Sequence, residues 1–364
     1  MNWPLLKYRL SIGGVPWAAR TAAGLVAATL VAERRNKGSY CLGPDEPGLP
    51  RVLYVHSGWA IENVGLLWFG NVSRAKVTFI AAADPGLTAD LAAQHDVVWY
   101  GYSSLYNVAP CNPSKAVVVV HDPTELFPER PDWRNFGFAD PACVARLAAV
   151  RKVVTASVEM ERVLQSAGLS PARIPTASRI PLRAESALEV DAPRSFLSVG
   201  RIYRRKNFEQ FQRVARALRP SGIHSRLKSD HFPLSEEAYI RLLDDHPVYL
   251  CTSFQEGGPL PIMDAMHRGA VVLSTPSGQA PELVEHGKNG FLCSTDQEFL
   301  DALEELFHDP ARLRRLRVES LRSIRRTRGR AVIGKAVDLL LQELFPGCSL
   351  DTASSTDDTR PSAA

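Results

Sequence analysis

Val248-Tyr-Leu-Cys251-Thr-Ser-Phe-Gln-Glu256-Gly-Gly-Pro-Leu260-Pro-Ile-Met-Asp264-Ala-Met-His267-Arg-Gly269-Ala-Val-Val-Leu273-Ser reads as a strand, a glycine-containing turn, a helix and a second strand. Val248 to Cys251 and Ala270 to Leu273 are short and almost wholly apolar, as strands covered on both faces are. The helix is expected over about Leu260 to His267. Such a unit belongs in a parallel sheet, because parallel neighbours need a long crossover and a helix supplies it.

The pattern extends upstream. Ser195-Phe-Leu-Ser-Val-Gly200 is a strand that ends on glycine, and Asn207 is placed to cap a helix running to about Leu218, with Phe208, Phe211, Val214 and Leu218 on one stripe. Ser221 to Leu227 is expected to hold one intervening strand. Before Ile174 to Val190, a stretch with Pro175 and Pro181 read as an interdomain linker, come further buried-strand runs: Arg51 to Ser57, Lys76 to Ala81, Asp96 to Tyr100, Ala116 to Val120 and Val153 to Ala156. Helical patterns follow some of them, at Pro141 to Val150 and Val158 to Ala167. The reading is α/β: two Rossmann-like doubly wound parallel-sheet domains facing a cleft, the second shortened. The expected organisation is an N-terminal extension over 1–50, a first domain over 51–185, a second over 186–345 and a disordered Ser/Thr/Asp-rich tail over 346–364.

Composition agrees with two packed domains. The chain has 364 residues, 45% hydrophobic and 23% charged, enough apolar material for real cores and too much for a disordered protein. A net charge of +4 does not mark a nucleic-acid binder. Six scattered cysteines without a Cys-x-x-Cys pair read as reduced thiols of a cytoplasmic protein with no zinc site. Near the N-terminus the uncharged run Thr21 to Ala32 is too short to span a bilayer, and Leu30 is a poor residue for a signal cleavage site. An interfacial helix bearing Trp17 and Leu25, with Arg34, Arg35 and Lys37 toward headgroups, is the membrane option. Arg312 to Arg330 carries nine arginines, by default a solvated helix face, alternatively a contact for anionic lipid or phosphate.

The chemistry concentrates at strand ends. A turn leading into a helix points free backbone N–H groups and the positive end of the helix dipole at the cleft, which suits anions. Glu256 in that turn and Asp264 on the helix bring two carboxylates, acceptors for hydroxyls, to the same neighbourhood. In Val199-Gly200-Arg201, Gly200 permits close approach at the strand end, and Arg201 and Lys206 supply two cations for a diphosphate. A ligand bearing both sugar hydroxyls and phosphates fits this set.

The combination of Gly200-Arg201-x4-Lys206, of Glu256 and Asp264 at Glu-x7-Glu spacing, and of Pro281-Glu282-Leu-Val-x2-Gly287-x-Asn289-Gly290-Phe resembles the retaining nucleotide-sugar glycosyltransferases of family four, which have the GT-B fold. The resemblance covers about residues 110 to 345. It implies that Arg201 and Lys206 clamp the donor diphosphate and stabilise the charge growing on it, that Glu256 contacts donor-sugar hydroxyls and Asp264 the ribose, and that Gly200, Gly257, Gly258, Leu260 and Glu282 complete the donor site. His121, in Val-His-Asp-Pro at the end of the Val117 to Val120 strand, matches the family's N-domain histidine near the transferred sugar. Such enzymes need no bound metal or other cofactor, and transfer proceeds with retention. The expected partners are a nucleotide-sugar donor and an acceptor that is a glycan, a lipid-linked molecule or a small molecule, with a peripheral membrane contact as an option and no nucleic acid.

Three departures stand out. The second acid is Asp264, one methylene short. Pro259 stands where a glycine is frequent and lacks an N–H. The glycine-rich acceptor loop after the first strand is replaced by Ser57-Gly58-Trp59-Ala-Ile-Glu62-Asn63, beside which Trp59, Trp68, Trp99, Tyr100 and Tyr102 offer an aromatic wall or core residues. The rival reading is a catalytically silent subunit that supports a partner transferase. A pyridoxal-dependent phosphorylase lacks room for its C-terminal domain, an epimerase has no signature here, and no Gly-x-Gly-x-x-Gly follows a strand to suggest a dehydrogenase.

Overall fold

A computed structural model of the chain describes residues 39–44, 46–57, 59–70, 74–121, 126, 140–188, 192–200, 202, 204–228 and 234–346. The N-terminal segment on which the membrane reading falls, and the tail, lie outside the described residues. No helix among those described is long and apolar enough to cross a membrane.

The first sheet holds β1 (Tyr40–Leu42), β2 (Arg51–His56), β3 (Lys76–Ala81), β4 (Val97–Tyr100), β5 (Ala116–Val120), β6 (Lys152–Thr155) and β7 (Ala172–Arg173), in the order β1-β3-β2-β4-β5-β6-β7. Only β1 is antiparallel, paired at the edge with β3. The intervening helices are α1 (Trp59–Phe69), α2 (Ala89–Ala93), α3 (Ser103–Val108), α4 (Pro141–Ala149) and α5 (Val158–Ser166). The second sheet holds β8 (Ser195–Val199), β9 (His224–Lys228), β10 (Val248–Cys251), β11 (Val271–Ser274) and β12 (Gly290–Leu292), all parallel, in the order β12-β11-β10-β8-β9. Its helices are α6 (Phe208–Leu218), α7 (Glu236–Asp244), α8 (Leu260–His267), α9 (Ala280–Leu283) and α10 (Asp296–His308), followed by α11 (Pro310–Arg328) and α12 (Arg330–Leu344).

Alternation within strands sends side chains into two apolar layers per sheet. Val52 and Tyr54 join Trp68, Phe79 and Trp99 on one face, while Leu53 and Val55 join Leu147, Met160 and Leu164 on the other. In the second sheet Phe196 packs with Phe211, Val214 and Phe299, and Leu197 with Ile262, Met263 and Met266. The strand and helix of the opening quotation form where its pattern places them, at β10, α8 and β11.

Three features go beyond the sequence reading. Helix α12 lies in the span assigned to the second domain, yet Ile333, Val337, Leu340, Leu341 and Leu344, spaced three and four apart, pack into the first domain's core. Asn207 sits at the start of α6 with a left-handed backbone (φ 48°) and makes no side-chain cap; its Nδ2 donates to Gln210 Oε1 at 2.9 Å. The arginine-rich stretch is not one solvated face. Arg317 and Arg328 are 4% and 7% exposed, Arg317 donating to Gly269 O at 2.9 Å beside the Ser320 Oγ bond to Ala270 O at 2.7 Å. Arg317 and Ser320 thus anchor α11 to the turn that feeds β11, while Arg328 pairs with Glu282.

Candidate active site

Both sheets reverse direction once. In the second, the chain leaves β8, crosses to β9 on one side and returns to β10 on the other, so the loops after β8 and β10 start from neighbouring strand ends. Ligands of open α/β sheets bind at such a reversal. Lys206 is on the first of these loops and Glu256 on the second.

The two loops are stitched to one another. Phe254 N donates to Arg205 O at 2.8 Å, and Thr252 Oγ1 donates to Lys206 O and Asn207 O at 3.1 Å each. Ser253 O accepts from Thr275 Oγ1 at 2.5 Å, which ties in the loop after β11. In this frame Glu256, 4% exposed, is surrounded by donors. Lys206 Nζ pairs with Oε1, Ser253 Oγ donates to Oε1 at 2.5 Å, and Arg205 Nη1 reaches Oε2 at 3.2 Å. Burial alone would raise this carboxyl's pKa. The Lys206 and Arg205 charges and the hydrogen bonds from Lys206 and Ser253 outweigh it and hold the group below the ordinary carboxylate value. Glu256 is therefore an ionised acceptor, fixed in place, at neutral pH.

The following turn has little room. A Cβ on Gly258 would lie 2.5 Å from Gln279 Nε2 and 3.0 Å from Thr176 Oγ1, and one on Gly278 would lie 2.5 Å from Glu256 O. Gly278 also has φ +57°, a left-handed conformation that L side chains rarely adopt. Gly257 is buried, and Leu260 opens α8 and packs against the cores of both domains. At Gly200 a Cβ would meet only Phe208 and Lys206 at 3.5 and 3.6 Å, ordinary contact distances.

The remaining candidates are held differently. Asp264 is buried; Ser178 Oγ donates to Oδ1 at 2.6 Å and Tyr239 OH to Oδ2 at 3.0 Å. Burial pushes its carboxyl up to about 6 despite these donors. Glu282 accepts from Val158 N at 2.8 Å and Arg328 Nη2 at 3.2 Å, with Arg173 Nη1 at 3.5 Å. It thereby clasps the N-terminus of α5 in the first domain, as Glu159 Oε2 reciprocally accepts from Gly278 N at 2.5 Å. His121 follows β5 on the first sheet. Its Nε2 donates to Gly101 O at 2.8 Å, which fixes a proton on that nitrogen, and its ring stacks on Tyr102 with centroids 5.8 Å apart. Arg201 lies outside the described residues, as does Gly58.

The aromatic wall is mostly core. Trp68, Trp99 and Tyr100 are at most 1% exposed, with Trp68 Nε1 donating to Pro175 O and Tyr100 OH to Ala109 O. Tyr102, half-buried against His121, is the described member able to face a ligand; the Trp59 side chain lies outside the described residues. The sequence motifs do not single out Arg205, Ser253, Ser178 or Tyr239. Arg205 adjoins Lys206, and Ser253 is three residues before Glu256, so their proximity along the chain was a usable signal. Ser178 and Tyr239 reach Asp264 from 86 and 25 residues away, and nothing local announces them. Among the described residues no cluster of His, Cys, Asp or Glu is placed to hold a metal ion.

Comparison with known proteins is consistent with this geometry. Residues 231–321, which include Glu256, Asp264 and Glu282, match the family model of glycosyl transferases group 1. No curated protein matches the sequence. Among solved structures, HepE (Alr3699) of Anabaena in complex with UDP and glucose is 14% identical, covers 81% of this chain and all of its own, and superposes with a TM-score of 0.58. Sucrose-phosphate synthase from Thermosynechococcus elongatus is 13% identical over 82% of this chain and 99% of its own, with a TM-score of 0.61. The pneumococcal O-GlcNAc transferase GtfA with UDP and GlcNAc is 16% identical over 69% of this chain and 56% of its own, with a TM-score of 0.53. At these identities the likeness establishes the fold: two Rossmann-like domains in the GT-B arrangement.

Proposed function

We propose that this protein is a glycosyltransferase that moves a sugar from a nucleotide-diphosphate donor to an acceptor hydroxyl, with retention of anomeric configuration and without a bound metal ion. The observation that carries the reading is the pairing of Lys206 with the buried Glu256 at the sheet-reversal point, beside the Gly257-Gly258 turn, with Glu256 inside the segment that matches the glycosyl transferase family.

In this reading the bond between the anomeric carbon and the diphosphate oxygen breaks, the diphosphate takes the electron pair, and the acceptor oxygen bonds the same face of the sugar as its proton passes to the departing diphosphate oxygen. Lys206, aided by Arg201, meets the charge on the leaving diphosphate, and a fixed cation in a dry site does this without reorganising. Glu256, held ionised by the cations around it, accepts from donor-sugar hydroxyls. Arg205 keeps Glu256 charge-balanced when Lys206 turns to phosphate. A carboxylate has about four lone-pair sites, so Asp264 can accept a ribose hydroxyl in addition to Ser178 and Tyr239. In this reading His121, stacked on Tyr102 at the end of β5, is the first domain's residue beside the transferred sugar.

The test is a panel of UDP-, GDP-, TDP- and ADP-sugars, scored by thermal shift and by nucleotide release. UDP-sugars come first because UDP is bound in HepE and in GtfA. One nucleotide class should stabilise the wild type by a few kcal/mol at roughly a hundred times its dissociation constant. Glu256→Ala should lower turnover on the order of a hundredfold, the product should keep the donor's anomeric configuration by NMR, and EDTA should change nothing. If no nucleotide sugar shifts the melting point, the transferase reading fails and a silent subunit replaces it.

A further inference from the structure

The loop after β11 belongs to the second domain by sequence, yet it is held by the first. Glu159, in the first turn of α5, accepts from Gly278 N at 2.5 Å. The next residue, Gln279, is wholly buried and donates through Nε2 to Thr176 Oγ1 at 2.8 Å; Thr176 stands in the stretch that joins the two domains. Glu282 accepts from Val158 N at the start of α5. Gly278, Gln279 and Glu282 are thus each tied to residues that precede β8.

The other side of the same loop presses on the donor turn. A Cβ on Gly278 would lie 2.5 Å from Glu256 O and 2.8 Å from Gly257 O, and one on Gly258 would lie 2.5 Å from Gln279 Nε2. Both glycines therefore rest on their neighbours with no room for a side chain between, and a close-packed contact of this kind passes a displacement on instead of absorbing it. Gly278 and Gln279, the two loop residues that touch the turn, are also two that the other domain and the connector hold. The carboxylate of Glu159 is well placed for this grip, because it lies at the positive end of α5. Its neighbour Glu161 is engaged elsewhere, with Arg173 Nε at 3.0 Å.

We propose that Glu159 is a positioning residue for the donor turn: by holding Gly278 from the first domain, it sets the place of Glu256 and Gly258 in the second. The turn is in its working position only while the two domains are docked through α5. The consequence for turnover rests on the transferase reading; the positioning itself does not.

Amide hydrogen exchange of the full chain tests the positioning without any donor, because local opening shows as faster exchange in the segment that loses its hold. In Glu159→Ala, peptides covering 275–283 and 254–258 should both exchange faster, while the β8 peptide 195–199 does not. Glu159→Gln should restore the wild-type pattern, since an amide oxygen accepts the same N–H. Glu161→Ala, which removes an equal charge from the same turn, should leave both segments unchanged. With the member of the UDP-, GDP-, TDP- and ADP-sugar panel that the wild type turns over, kcat should fall roughly tenfold or more in Glu159→Ala, as a small misplacement far from the chemistry can do, and recover in Glu159→Gln. Faster exchange confined to 275–283 or spread through the whole second domain, a Glu159→Gln or Glu161→Ala variant as affected as Glu159→Ala, or an unchanged kcat in Glu159→Ala would overturn the proposal. Absence of turnover in the wild type overturns the transferase reading instead, and the exchange result then decides the positioning.

Discussion

At the scale of single residues, the two acids of the site have opposite environments. Glu256 is held by two cations and one hydroxyl, whereas Asp264 receives only two neutral hydroxyls, from Ser178 and Tyr239. The consequence for Asp264 is a stability that depends on pH. Its ordinary value is 3.8 and its folded value about 6. Below about pH 4 both folded and unfolded chains hold the proton, and stability is full. As pH rises the unfolded chain ionises first, so stability is lost up to about pH 6 and is constant above it. At roughly 1.4 kcal/mol per unit, the loss is about 3 kcal/mol. Urea midpoints measured from pH 4 to 7 should therefore fall for the wild type relative to Asp264→Asn, whose amide does not titrate; a difference between the two that stays constant with pH would contradict the assignment.

At the scale of elements, the loops after β8, β10 and β11 act as one piece, and Gly278 is the point where the third presses on the second. Gly278→Ala adds a Cβ against the Glu256 carbonyl in a left-handed residue. It should cost about 2 kcal/mol or more and shift Glu256 enough to lower kcat/KM. Gly168 is a built-in comparison, since it too has positive φ (+82°) but nothing within 4 Å of its added Cβ. Gly168→Ala should cost only about 1 kcal/mol and leave kinetics unchanged; equal effects of the two substitutions on activity would show that the turn does not position Glu256. The elements that carry this site were legible because they are local: apolar runs of strand length, a glycine turn, a helix of known period. Arg201, Lys206 and Glu256 could be nominated from spacing alone. The partners of Asp264 and the clasp at Glu282 were not legible, because contacts across 86 and 124 residues are made by packing of whole layers and leave no periodic trace. Trp68 and Trp99 illustrate the same limit: an aromatic side chain has the same letter in a core as on a binding wall.

At the scale of the molecule, the domains are joined by more than a linker. Glu282 and Glu159 each accept a backbone N–H from the opposite domain, and Arg328, 7% exposed, rests on Glu282. Removing one partner of a buried pair leaves the other charged and unmatched, at about 3–5 kcal/mol, while removing both is far milder. Arg328→Met should therefore lower stability, by less than that amount because Arg173 Nη1 still stands 3.5 Å from Glu282 and Val158 N still donates to it, and adding Glu282→Gln should restore part of the loss. Additive losses in this cycle, read from denaturant unfolding, would mean the two side chains are not coupled. Helix α12 makes the joining deeper, because it completes the core of the first domain from the far end of the chain. Made on a ribosome, the first domain emerges early but has one wall of its core missing until the last described helix is released. The second domain, whose strands and helices through α10 are continuous in sequence, can close before it. Order of synthesis and order of completion are thus reversed, and a fragment ending at residue 329 should hold a finished second domain tethered to an unfinished first.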